Sequence, residues 1–131
     1  MGLDMYLYAS KYVADSELFD KDNPRKYAEI VKAVGAEEFP KGAFGSATVD
    51  IQVGYWRKAN AIHDWFVQNC QGGEDKCQKA HVSRDSLIEL RDLCMNVLAD
   101  KGNKDKAEKF LPTASGFFFG GTEYDEYYWE Y

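Results

Sequence analysis

The chain has 131 residues, the length of a single domain, and such a chain buries about two-thirds of its unfolded surface, so neither disulfides nor a metal are required for folding. A net charge of −6 with no run of lysines or arginines argues against general nucleic-acid binding, because phosphate contacts supply most non-specific affinity. No stretch approaches about 18 consecutive apolar residues, and the start lacks the basic and long apolar regions of a signal peptide; a cytoplasmic protein without a membrane span is expected. Three cysteines, an odd number, fit free thiols in a reducing compartment better than a disulfide framework.

Residues 3–9 alternate. Leu3, Met5, Leu7 and Ala9 point one way; Asp4, Tyr6, Tyr8 and Ser10 point the other. That is a strand with one buried face, and two tyrosines lie on its second face. Asn23-Pro24 reads as a helix start, with Asn23 as N-cap and proline at the first helical position. Tyr27, Ile30, Val31 and Val34 then recur at helical spacing, and Gly35 supplies a stop. Residues 36–46, with Pro40, Gly42 and Gly45, read as a loop.

Residues 47–53 are the clearest strand: Ala47, Val49, Ile51 and Val53 alternate with Thr48, Asp50 and Gln52. Gly54 is expected to break it and start the central helix over residues 55–68, which holds two of the three tryptophans and one of the two histidines. On that helix Tyr55, Ala59, Ile62 and Phe66 share a face, widened by Ala61 and Trp65. Trp56, Asn60, His63 and Val67 form a second row at its margin, and Arg57, Asp64 and Gln68 remain for solvent. A helix starting directly from a strand leaves backbone N–H groups at Tyr55 and Trp56 that can face an anion, although one glycine falls short of a phosphate-loop pattern.

Cys70, Cys77 and His81 invite a zinc reading. Their spacing matches no standard knuckle, and a fourth ligand is missing unless Cys94 reaches in, so no metal is expected. Ser83 reads as the N-cap of a second long helix over 83–99, with Leu87, Leu90, Cys94, Val97 and Leu98 as its buried row. Cys94 inside that row is expected to be an inert core thiol. Residues 104–111 allow one or two further turns. Phe117 to Phe119, between glycines, reads as a short buried strand. Thr122 is expected to cap a last helix over 122–131, with Asp125 three residues on.

The fold expected is therefore α+β: a small, mostly antiparallel sheet of two or three strands packed against three to four helices. No repeat, low-complexity region or linker interrupts it.

Two functional readings compete with a bland one, an accessory protein with no discrete site. The first is partner binding. Residues 117–131 contain eight aromatics, and residues 122–131 carry Glu123, Asp125, Glu126 and Glu130 with no basic residue. Tyrosine and tryptophan are over-represented at energetic centres of interfaces, since each joins a large apolar body to one polar handle. Tyr124, Asp125, Glu126, Tyr127 and Tyr128 are the docking candidates, with Tyr6 and Tyr8 as a second patch. An acidic surface suits a basic, nucleic-acid-binding partner, where carboxylates take the place of phosphates.

The second reading is a small enzyme or ligand-binding domain using Trp56, Arg57, Asn60, His63 and Asp64, joined by Asp4 from the first strand. His63 could serve as general acid or base near neutral pH; Arg57 could hold an anion. The chain shows no nucleophile elbow, phosphate loop or zinc-protease motif, so the expectation leans away from catalysis and calls for no cofactor. A buried, hydrogen-bonded row would weaken this reading, and an open pocket beside it would strengthen it.

The segments MGLDMYLYA, GYWRKANAIHDWFV and GFFFGGTEYDEYY together resemble a family of small bacteriophage and prophage proteins. The resemblance spans both ends and the middle of the chain. It implies a protein made in an infected bacterium, outside the virion's structural set, and it hands over no catalytic residues. It implies a host protein as partner, with inhibition of an antiviral defence nuclease, as anti-CRISPR proteins do, as one form. That step rests on setting rather than on a site.

Overall fold

A computed structural model describes residues 4–39, 44–116, 119 and 121–131. In chain order it holds β1 (Asp4–Ala14), α1 (Asn23–Ala33), β2 (Ser46–Arg57), α2 (Asn60–Cys70), α3 (Arg84–Leu98), α4 (Lys104–Phe110) and α5 (Glu126–Glu130). β1 and β2 form a two-stranded antiparallel sheet. This is the α+β architecture that the alternating and helical patterns predict. The segment around Phe117, read as a third strand, has residues 117, 118 and 120 outside the described set, as do Leu3 and residues 40–43 of the first long loop.

The chain divides into two compact units, one of residues Tyr6–Gly54 and one of Met1–Met5 with Tyr55–Tyr131. In the Tyr6–Gly54 unit, Ser10 Oγ donates to Asp50 Oδ1 at 2.5 Å, and the Asp15 N–H donates to the Gly45 carbonyl at 2.8 Å. These two contacts belong to one antiparallel register of the ribbon. Among its described residues Val13 and Tyr27 are the buried hydrophobics, and Asn23 is buried as well. A Cβ on Gly45 would lie 2.7 Å from the Tyr27 hydroxyl, so this glycine lets the buried ring approach the backbone. The helix start is displaced by one residue from expectation. Asp22 occupies the N-cap without a side-chain bond, and Asn23 is the first helical residue. At the start of α1, Lys26 pairs with Asp20 at 2.7 Å, and that bond holds the Asp20 carboxyl below the ordinary aspartate range.

In the second unit the core is built on α2. Ala59, Ala61, Ile62, Trp65 and Phe66 are buried with Leu90 and Val97 of α3, Ala107 of α4 and Leu111. Trp56 lies against Phe66 with ring centroids 5.7 Å apart, and Trp65 meets Phe66 edge-on at 5.4 Å. Ser83 caps α3 by accepting from the Ser86 N–H, as its place in the sequence predicts. Asn103 caps α4 by accepting from the Lys106 N–H.

Two further boundaries differ from expectation. β2 does not stop at Gly54; it runs to Arg57. Tyr55 and Trp56 are strong strand formers, and burial still alternates through Gly54, Tyr55, Trp56 and Arg57. The turn is made instead at Lys58, whose φ is +58°. The N–H groups of Tyr55 and Trp56 therefore belong to a strand, and the helix starts at Asn60 after Ala59, which offers no side-chain cap. At the other end of the chain, Thr122 caps nothing. Asp125 accepts from the Tyr128 N–H and begins α5, a helix of one turn.

Candidate functional site

The row read as one helical edge is split by the structure. Trp56 and Arg57 stand on β2, while Asn60, His63 and Asp64 stand on α2. The correction follows from the longer strand: a residue on a ribbon and one on a helix do not repeat at helical spacing. Arg57 is exposed, with its Nε 3.8 Å from Asp4 Oδ1, so Asp4 does approach this row, at its strand end.

Asn60 and His63 are each only 6% exposed. Asn60 Nδ2 donates to the carbonyls of Ala114 at 2.8 Å and Gly121 at 2.9 Å, and its Oδ1 accepts from the Ala114 N–H at 2.8 Å. The side chain thus fastens the backbone at Ala114 and at Gly121 to the first turn of α2. His63 Nε2 lies 2.8 Å from Asp75 Oδ2. A carboxylate only accepts, so Nε2 carries the proton. The imidazole also meets the edge of Phe119, with centroids 4.9 Å apart. Among the described residues nothing bonds to His63 Nδ1.

Asp75 was not singled out by the sequence. It is brought to His63 by the turn after α2, where Gly72 and Gly73 adopt φ of +70° and +78° and the Gly73 N–H returns to the Val67 carbonyl. The signal available was an acid a few residues after a glycine pair that ends the histidine's own helix. Replacing Asp75 by alanine leaves the buried Nε2–H without its acceptor and is expected to cost about 2 kcal/mol; Asp75→Asn, which retains an acceptor oxygen, is expected to cost about 1 kcal/mol. Urea unfolding of the two variants measures this. Equal losses would show that His63 does not depend on the oxygen of Asp75.

The cysteines are dispersed in role. Burial pushes the Cys94 and Cys70 thiols above their ordinary range, which disfavours the nucleophilic thiolate. Cys77 is exposed, and Cys70 and Cys94 are partly buried; all three are free thiols. Among the described residues no group of three or more His, Cys, Asp or Glu is placed to hold a metal ion.

The C-terminal tyrosines divide into anchors and exposed rings. Tyr128 Oη donates to the Leu111 carbonyl at 2.8 Å, and Tyr124 Oη accepts from the Thr113 N–H at 3.2 Å. Their rings meet at 4.8 Å. Burial, then the neighbouring Tyr124 and Cys94, push the Tyr128 phenol above its ordinary range, so it remains a donor at neutral pH. Tyr127 and Tyr131 are 66% and 49% exposed. Glu123, Asp125, Glu126 and Glu130 are all exposed around them. In the Tyr6–Gly54 unit, Tyr6 and Tyr8 are each 49% exposed with near-parallel rings 6.4 Å apart.

Comparison with family models, with curated proteins and with solved structures gives no match. Among the described residues no helix is long and apolar enough to cross a membrane.

Proposed function

We propose that this protein acts by binding another protein, and that residues 122–131 form its docking surface. The observation that carries the reading is the division among the tyrosines: Tyr124 and Tyr128 tie the segment to the fold, leaving Tyr127 exposed among carboxylates. An exposed aromatic among carboxylates, on a segment anchored by its neighbours, suits a partner of opposite charge. The natural partner is a basic surface of the kind that binds nucleic acid, and Tyr6 with Tyr8 offers a second, smaller contact. In the phage setting implied by the sequence resemblance, such a partner is a component of a host defence system, and occupation of its phosphate-binding surface would inhibit it. The row Asn60–His63, committed to hydrogen bonds inside the fold, gives less support to a catalytic role.

Affinity capture from bacterial lysate at moderate salt tests this. One stoichiometric, basic protein is expected, bound about 2 kcal/mol more weakly by Tyr127→Ala, the scale of an interface hot spot. Raised salt is expected to slow its association. Retention of the same protein at undiminished affinity by both Tyr127→Ala and Glu126→Lys would overturn this surface.

A further inference from the structure

A cavity of about 460 Å³ opens between α5, the first turn of α2 and the end of α3, within the range of small-ligand pockets. Its floor is aliphatic and buried: Ile62, Val97 and Leu111. Its rim is formed by Tyr127 and Tyr131 with the carboxylates of Glu123 and Asp125. Lys58 also lines it, so the described lining carries two acids against one base. The same segment already holds a cation on an aromatic face: the Lys104 ammonium sits 5.8 Å from the centroid of the Tyr124 ring, within cation–π range.

We infer that this cavity receives a basic side chain, arginine above lysine, from an apolar stretch of the partner protein. The inference rests on the docking surface proposed above and names what enters it. The aliphatic stem of the incoming side chain lies on Ile62, Val97 and Leu111, and its charged head meets Glu123, Asp125 and the tyrosine rings. Arginine is favoured because its planar guanidinium both pairs with carboxylates and stacks on rings. The competing occupant is a carboxylate at Lys58 and the uncapped first turn of α2. It would have to pass two like charges on the rim, whereas a cation is drawn by them.

The test uses the full chain and three blocked tripeptides: Leu-Arg-Leu, Leu-citrulline-Leu and Leu-Glu-Leu. Binding is followed by the indole N–H resonance of Trp129, which lines the cavity. The arginine peptide is expected to saturate the shift, and the neutral citrulline peptide to bind at least about tenfold more weakly, the scale of one hydrogen bond to a charged group. Glu123→Gln and Asp125→Asn together are expected to abolish that preference. Asn retains the oxygen that caps α5, so a loss reports charge and not unfolding. Equal binding of the arginine and citrulline peptides, or a preference for the glutamate peptide, would overturn the inference. If no peptide binds while protein capture remains sensitive to Tyr127→Ala, the cavity is overturned and the docking surface stands. Binding of the arginine peptide with no Tyr127-dependent partner supports the cation preference and overturns the docking surface.

Discussion

Replacing Asn60 by alanine is expected to lower the unfolding free energy by about 3 kcal/mol, because three net hydrogen bonds of about 1 kcal/mol each are lost together. The backbone N–H and carbonyl of Ala114 and the Gly121 carbonyl lose their partner at once. The melting temperature of a chain this size is expected to fall by about 10 °C. Asn60→Asp is expected to be worse than alanine, since it sets a carboxylate against two carbonyl oxygens that now accept from Nδ2. Amide hydrogen exchange would locate the effect: the Ala114 N–H is expected to lose protection before α3 does. A loss under about 1 kcal/mol would mean that these groups are satisfied by water when Asn60 is gone. The functional consequence follows from position. Asn60 holds the segment that precedes the acidic tyrosines, so on the docking surface proposed here the variant is expected to reduce partner capture as well as stability.

Phe66→Ala is expected to cost about 4 kcal/mol, the scale for truncating a buried aromatic. Phe66 is 4% exposed and is touched by both Trp56 and Trp65. The loss has two parts, the transfer of the ring's apolar surface and the void left between two indoles that α2 and β2 hold apart. The near-ultraviolet dichroism of the tryptophans is expected to weaken in the folded variant, since their shared contact is removed. Ile88→Ala on α3 is the control. Ile88 is 37% exposed, and its truncation is expected to cost under about 1 kcal/mol. Comparable losses at the two positions would remove Phe66 from the centre of the core.

The cap of α3 shows how local chemistry reads directly, and α4 repeats it at a residue the sequence reading did not single out. Ser83 and Asn103 each present a side-chain oxygen to an N–H three residues on, and each helix begins where that bond allows. At α5 the same chemistry misled. Thr122 and Asp125 both have capping side chains, and residues 121–124 carry three bonds to other parts of the fold, one from α2 and two with Thr113. Asn60 takes the Gly121 carbonyl, Thr113 takes the Thr122 carbonyl and Tyr124 Oη takes the Thr113 N–H. With residues 121–124 tied down in this way, the helix waits until Asp125.

Gly54 is a similar case. A glycine fits a turn and an extended strand alike, so its identity did not mark the end of β2. The left-handed backbone at Lys58, a residue with no preference for that conformation, gave no advance signal. Placing Trp56 and Arg57 on a helix with Asn60 and His63 followed from that single boundary.

By itself the sequence determined the fold class, the period-two strands, the apolar face of α2 from Ala59 onward and the cap of α3, because each depends on neighbours within one turn or one pleat. It also determined that acids and tyrosines crowd the last ten residues. Only the tertiary structure decided which of these polar and aromatic groups face inward. His63 finds Asp75 across a glycine turn, Asn60 finds backbone 54 and 61 residues away, and Tyr128 rather than Tyr127 reaches Leu111. Such pairings depend on chain closure over long loops and on burial that no local period encodes.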